Sequence, residues 1–124
     1  MARVLLIEDE APIRATLSRF LQMEGIEVIT AEDGAVGLAL ARAELHDLIL
    51  CDLLMPELDG YQVLSSLRGD PLTAGIPFLL LTASAAPEEQ QASLQRGAAA
   101  FLTKPFHLDD VRKAIAGFLP IDNN

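Results

Sequence analysis

Five short apolar runs, at residues 3–8, 26–30, 47–51, 77–82 and 98–102, set the tightest limit on what this chain can fold into. They are rich in Val, Ile, Leu and Ala and hold too few polar residues to alternate. Successive side chains of a strand point to opposite faces, so a strand with one wet face alternates, whereas an apolar run needs cover on both faces. The expectation is a parallel sheet between two layers of helix.

The segments between the runs have the spacing to supply those layers. Ile13, Leu17, Phe20 and Leu21 fall at i, i+4, i+7 and i+8, and Gly25 stands where a helix would stop. Further helices are predicted over 34–44, over 60–68 with Val63, Leu64 and Leu67 on one side, and over 87–96. In the last of these Pro87 suits the first turn, Glu88 and Glu89 suit the positive helix start, and Gly97 suits the stop. A fifth, over 108–118, puts Leu108, Val111, Ile115, Phe118 and Leu119 on one stripe.

Strand and helix alternating in this way predict a doubly wound α/β fold with right-handed crossovers. The common order for five such units is 2-1-3-4-5, which opens a crevice at the carboxyl ends of the first and third strands. The 124 residues are read as one domain, 1–124, without linker or repeat, large enough to bury roughly two-thirds of its unfolded surface. Residues 120–124 read as the close of the last helix or the start of a linker.

Composition removes several functions. A net charge of −9 argues against direct contact with a nucleic-acid backbone, so proteins and cations are the expected partners. No stretch approaches the ~20 apolar residues of a membrane span, and residues 1–8 read as a strand and not as a signal peptide, which points to the cytoplasm. Cys51 is the one cysteine, so no internal disulfide forms, and it reads as a small core residue beside Asp52.

The polar residues that follow the strands all fall on one edge of the predicted sheet. They are Glu8 and Asp9 after the first, Asp52 after the third, Thr82 after the fourth and Lys104 after the fifth. Carboxylates gathered there repel one another unless a cation neutralises them. Lys104 is one candidate, and hard oxygen ligands suit a divalent ion such as Mg²⁺ or Mn²⁺.

The run Leu5-Leu6-Ile7-Glu8-Asp9-Glu10, the segment Asp52-Leu53-Leu54-Met55-Pro56 with Asp59-Gly60, the end Leu81-Thr82-Ala83 and the triplet Lys104-Pro105-Phe106 together resemble the receiver domains of two-component response regulators. The resemblance spans the whole chain and is of the single-domain, chemotaxis-regulator-like type with a flavodoxin-like fold. Each motif alone is weak, but all stand in the expected order on the expected elements. The resemblance implies that Asp52 accepts a phosphoryl group, that Asp9 and Asp52 bind Mg²⁺ directly, and that Glu8 holds a metal-bound water. It further implies that Leu54 ligates through its carbonyl, that Thr82 and Lys104 hold phosphoryl oxygens, and that Thr82 and Phe101 form the switch. Ala83 leaves the acceptor open, and Lys104-Pro105 resembles the family's cis bond. The implied donor is a sensor histidine kinase or a histidine phosphotransfer protein, and the implied output is contact with a downstream protein.

Leu54 and Ser84 flank the site at positions that tune the life of the phosphorylated state in the family. Leu54 offers no hydrogen bond to an attacking water, yet can shield the acyl phosphate, so its effect is left open. His46 and His107 have no ligand partner nearby in sequence and are expected at the surface. A phosphohydrolase of similar fold would carry an Asp where Leu54 stands. A flavin module would need a Gly- and Ser/Thr-rich phosphate loop in place of Glu8-Asp9-Glu10. A degenerate receiver used only for docking is disfavoured because every expected site residue is present.

Overall fold

The computed structural model describes residues 1–119, so the reading of residues 120–124 lies outside the described residues. Its elements run β1 (Arg3–Ile7), α1 (Ala11–Met23), β2 (Glu27–Ala31), α2 (Gly34–Ala43), β3 (Leu48–Asp52), α3 (Gly60–Arg68), β4 (Phe78–Thr82), α4 (Pro87–Gln95), β5 (Ala100–Thr103) and α5 (Leu108–Ala116). The strands form one parallel sheet in the order β2-β1-β3-β4-β5, as predicted. The change of direction between β1 and β3 opens the crevice at their carboxyl ends.

Alternation within each strand divides the core in two. Leu5, Ile7, Ile49, Cys51, Phe78 and Leu80 face α2 and α3, where Leu38, Val63, Leu64 and Leu67 meet them. Val4, Leu6, Leu48, Leu50, Leu79 and Leu81 face α1 and α5, against Leu17, Leu21, Val111 and Ile115. The inner strands β1, β3 and β4 are apolar almost throughout because both of their faces are covered. At the edge, β2 is half-buried over Glu27–Ile29 and exposed at Thr30.

The ends of the last elements move from their predicted places. β5 begins at Ala100, two residues late, after the Ala99 N–H has joined the Phe78 carbonyl at 2.8 Å. α5 ends at Ala116, with Phe118 and Leu119 packing beyond it, half-buried, and Leu108 is 40% exposed where the stripe had it covered.

α4 is seated differently from the other helices, since Ser93 is its one buried residue. Polar contacts hold it to α3: the Tyr61 and Ser93 hydroxyls lie 2.9 Å apart, and the Arg96 guanidinium stacks 4.3 Å over the Tyr61 ring. Arg68, at the end of α3, donates to the Gly97 carbonyl just past α4 at 2.9 Å and to the Ile76 carbonyl at 2.8 Å.

His46 corrects an expectation. It is 3% exposed, and neither ring nitrogen has a hydrogen-bond partner. The turn that carries it is drawn onto β1 from both sides: Arg3 donates to the Glu44 carboxylate at 3.0 Å, and Asp47 accepts the Arg3 N–H at 2.8 Å. His107 is exposed, as expected.

Candidate functional site

β1 delivers Glu8 and Asp9 to the crevice. The Glu8 N–H extends the sheet by donating to the Ala31 carbonyl at 3.0 Å, and the Glu8 side chain is fully buried. β3 delivers Asp52, 4% exposed, on the same sheet face as Leu50. Cys51 points to the other face, away from the pocket, and burial holds its thiol far above the usual range.

The end of β3 can approach α3 closely because position 60 has no side chain. A Cβ there would lie 2.6 Å from the Asp52 carbonyl oxygen and 2.9 Å from the Leu53 Cα. With glycine in place, the Gly60 N–H donates to the Leu53 carbonyl at 2.8 Å, while Asp59 caps α3 by accepting from the Gln62 N–H at 2.9 Å.

Lys104 enters from the end of β5, at a cis peptide bond to Pro105, and bridges the acids. Its Nζ lies 2.8 Å from Glu8 Oε1, 3.2 Å from Asp52 Oδ1 and 4.0 Å from Glu10 Oε1. One oxygen each from Glu8, Asp9, Glu10 and Asp52 falls within a span of 4.8 Å. Burial, followed by the contact and charge of Glu8, pushes the Asp52 carboxyl up to about 7, against the opposing pull of Lys104. Burial alone would lower Lys104, but its contacts with Glu8 and Asp52 outweigh that and raise it.

Four carboxylates around a single ammonium leave negative charge unbalanced, and Asp9 Oδ1 is buried with no hydrogen-bond partner. An all-oxygen donor set with an orphaned oxygen fits a hard divalent ion of the Mg²⁺ or Mn²⁺ type.

Thr82 ends β4 beside the pocket, 6% exposed, where its hydroxyl oxygen accepts the Ser84 N–H at 3.1 Å. That bond leaves the O–H able to donate elsewhere. Register places Asp52 beside Leu81 and Thr82 beside Thr103, and Leu80 beside Phe101. Thr82 and the half-buried Phe101 therefore share the α3 side of the sheet, one strand apart, with Phe101 against the core and outside the acidic pocket. Ala83 and Pro105 are exposed, and Leu54 is 71% exposed in the loop after Asp52.

Thus Glu8, Asp9, Asp52 and Lys104 come together, with Thr82 at the adjoining strand end. Sequence reasoning missed Glu10 as a member of the acidic cluster, although its place directly after Glu8-Asp9 was a signal. It also missed Arg14, whose guanidinium donates to the Glu8 carbonyl at 2.7 Å.

Comparison with known proteins agrees over most of the chain. The family model for the response regulator receiver domain matches residues 4–116. Protein PilH of Pseudomonas aeruginosa is 34% identical over 96% of this chain and 98% of its own length. The DNA-binding dual master transcriptional regulator RpaA of Synechocystis is 39% identical over 96% of this chain and 49% of its own. The chain spans about half the length or less of several curated relatives it matches, RpaA among them. Among solved structures, the chemotaxis response regulator CheY4 of Vibrio cholerae superposes with a TM-score of 0.91 at 35% identity, covering 96% of this chain and 99% of that one. Among the described residues, no helix is long and apolar enough to cross a membrane.

Proposed function

Because the chain belongs to the response regulator receiver domain family of two-component signalling, we propose that Asp52 accepts a phosphoryl group from a histidine kinase or a histidine phosphotransfer protein and thereby switches a protein-binding surface. The observation that carries this reading is the Lys104 ammonium held between Glu8 and Asp52 in a cluster of four carboxylates. An Asp52 oxygen attacks phosphorus in line, the bond from phosphorus to the donor imidazole breaks, and the imidazole takes up a proton. Lys104 trades its contact with Asp52 for a phosphoryl oxygen, and the Thr82 O–H donates to another.

Asp9 and Asp52, the Leu54 carbonyl and, through water, Glu8 are the residues that would hold Mg²⁺ or Mn²⁺. When bound, such an ion offsets the repulsion between the carboxylates and the incoming phosphate. Exposed Ala83 leaves the approach to Asp52 open.

As Thr82 turns toward the phosphoryl group it vacates space on the α3 side of the sheet. Phe101 lies on that side, one strand over, and rotates inward to reshape the surface of α4, β5 and α5. A phenyl ring buries there without a hydroxyl that needs a partner. The 124 residues act as one receiver domain in the cytoplasm, where such a donor works, on a downstream protein and without direct nucleic-acid contact, in keeping with the charge of −9.

The test is incorporation of label from phosphoramidate or a phosphorylated histidine kinase. One phosphoryl group per chain is expected only with Mg²⁺ present, and none in Asp52→Asn. Undiminished label in that variant would overturn the assignment of the acceptor.

A further inference from the structure

We infer that Arg14 is a positioning residue for the acidic pocket: its guanidinium clamps the backbone carbonyls of Glu8 and Asp9 and so sets the two side chains that this loop offers to a divalent cation. The inference rests on the phosphotransfer reading and adds to it a residue that touches neither phosphate nor metal.

Arg14 lies one turn into α1, at the helix's positive end, where the dipole gives a cation no support. Its side chain leans back toward the helix start, as helical side chains do, and reaches over the loop that joins β1 to α1. There Nη1 donates to the Glu8 carbonyl at 2.7 Å and approaches the Asp9 carbonyl at 3.5 Å. Both carbonyls follow the last residue of β1, where the ladder that satisfied the preceding ones has ended.

What Arg14 avoids matters as much. Four carboxylates crowd the same loop and its neighbour, yet among the described residues Arg14 forms no ion pair with any of them, and that part falls to Lys104. The guanidinium thus holds the chain that bears the acids and leaves their oxygens, including the unpartnered Asp9 Oδ1, to a cation. α1 has no side-chain cap at Glu10, so Arg14 is a polar tie between the helix start and the loop. A fixed loop presents the two carboxylates already arranged, which spares the ordering that binding would otherwise impose.

The experiment titrates Mg²⁺ by calorimetry into wild type, Arg14→Lys and Arg14→Gln, and measures phosphoramidate uptake over the same range of Mg²⁺. Arg14→Gln should bind Mg²⁺ ~10-fold more weakly, the lower end of what removing a residue that orients ligands costs. Its uptake should need correspondingly more Mg²⁺ for half-maximal rate, with a smaller change in the maximum. Arg14→Lys, with one ammonium to reach a carbonyl, should fall between. Urea melts accompany each titration, and a loss of stability with Mg²⁺ affinity unchanged would overturn the inference in favour of a purely structural tie. Equal affinity in all three proteins, with normal wild-type uptake, would overturn it alone. A wild type that takes up no label at any Mg²⁺ concentration would overturn the phosphotransfer reading and this inference with it.

Discussion

Asp52→Asn should stabilise the metal-free protein at alkaline pH while leaving its stability at acid pH nearly unchanged. The native site holds the Asp52 carboxyl at about 7 against an ordinary value of 3.8. Below 3.8 both folded and unfolded chains carry the proton, and this group does not discriminate between them. Between 3.8 and about 7 only the folded chain keeps it, so stability falls by ~1.4 kcal/mol per pH unit and the full amount is lost above 7. The whole interval corresponds to ~4 kcal/mol. Part of that cost is repulsion between Asp52 and Glu8, and Lys104, 2.8 Å from Glu8, still has that partner when Asp52 is replaced. Removing one charge should therefore return ~2 kcal/mol. Urea denaturation followed by circular dichroism at pH 4 and pH 8.5, in EDTA, measures the gap between the two proteins. A gap near zero at pH 4 that opens in favour of Asn at pH 8.5 is expected. Mg²⁺ should narrow it, because an ion at 100 times its dissociation constant stabilises the wild-type cluster by ~2.7 kcal/mol. A variant no more stable than wild type at pH 8.5, or a gap of one size at both pH values, would refute the electrostatic account.

Asp9→Asn should weaken Mg²⁺ binding severely and Glu8→Gln more mildly, since Asp9 carries the orphaned oxygen and Glu8 is already engaged with Lys104; equal affinities by calorimetric titration of Asp9→Asn and wild type would contradict this. Fluorine NMR of a labelled Phe101 should report movement from its half-buried site to a more buried one on adding a phosphoryl mimic with Mg²⁺, and an unchanged resonance would remove Phe101 from the switch. His46→Leu should flatten the loss of stability on acidification. Burial lowers the native His46 below 6.5, against Glu44 and Asp47 and with help from Arg3, so its contribution is present above 6.5 and is lost as pH falls toward the lowered native value. The difference in urea midpoint between His46→Leu and wild type at pH 7 and pH 5 measures it, and a pH-independent difference would count against the buried imidazole.

Strand positions and their order were legible in the sequence because they rest on local pattern and chain chirality. Runs such as residues 77–82 can lie only in a sheet covered on both faces, and the alternation with helices leaves few topologies. Order then carries the polar strand ends to one edge, so Glu8, Asp9, Asp52, Thr82 and Lys104 could be grouped before any distance was known. Tertiary structure alone decided the rest, because it depends on contacts between residues far apart in the chain. The α4 sequence gives no apolar stripe to reveal that Tyr61, Ser93 and Arg96 seat it. Nothing near His46 in sequence announces that Arg3 draws its turn inward. Arg14 reads as an ordinary helix arginine until the fold places the end of β1 beneath it, and the sharing of the Lys104 ammonium between Glu8 and Asp52, with Glu10 beside them, is visible only where the ends of β1, β3 and β5 meet. Periodicity records which side of an element is buried, whereas the charge balance of the pocket is a sum over several strand ends, fixed only when the sheet has assembled.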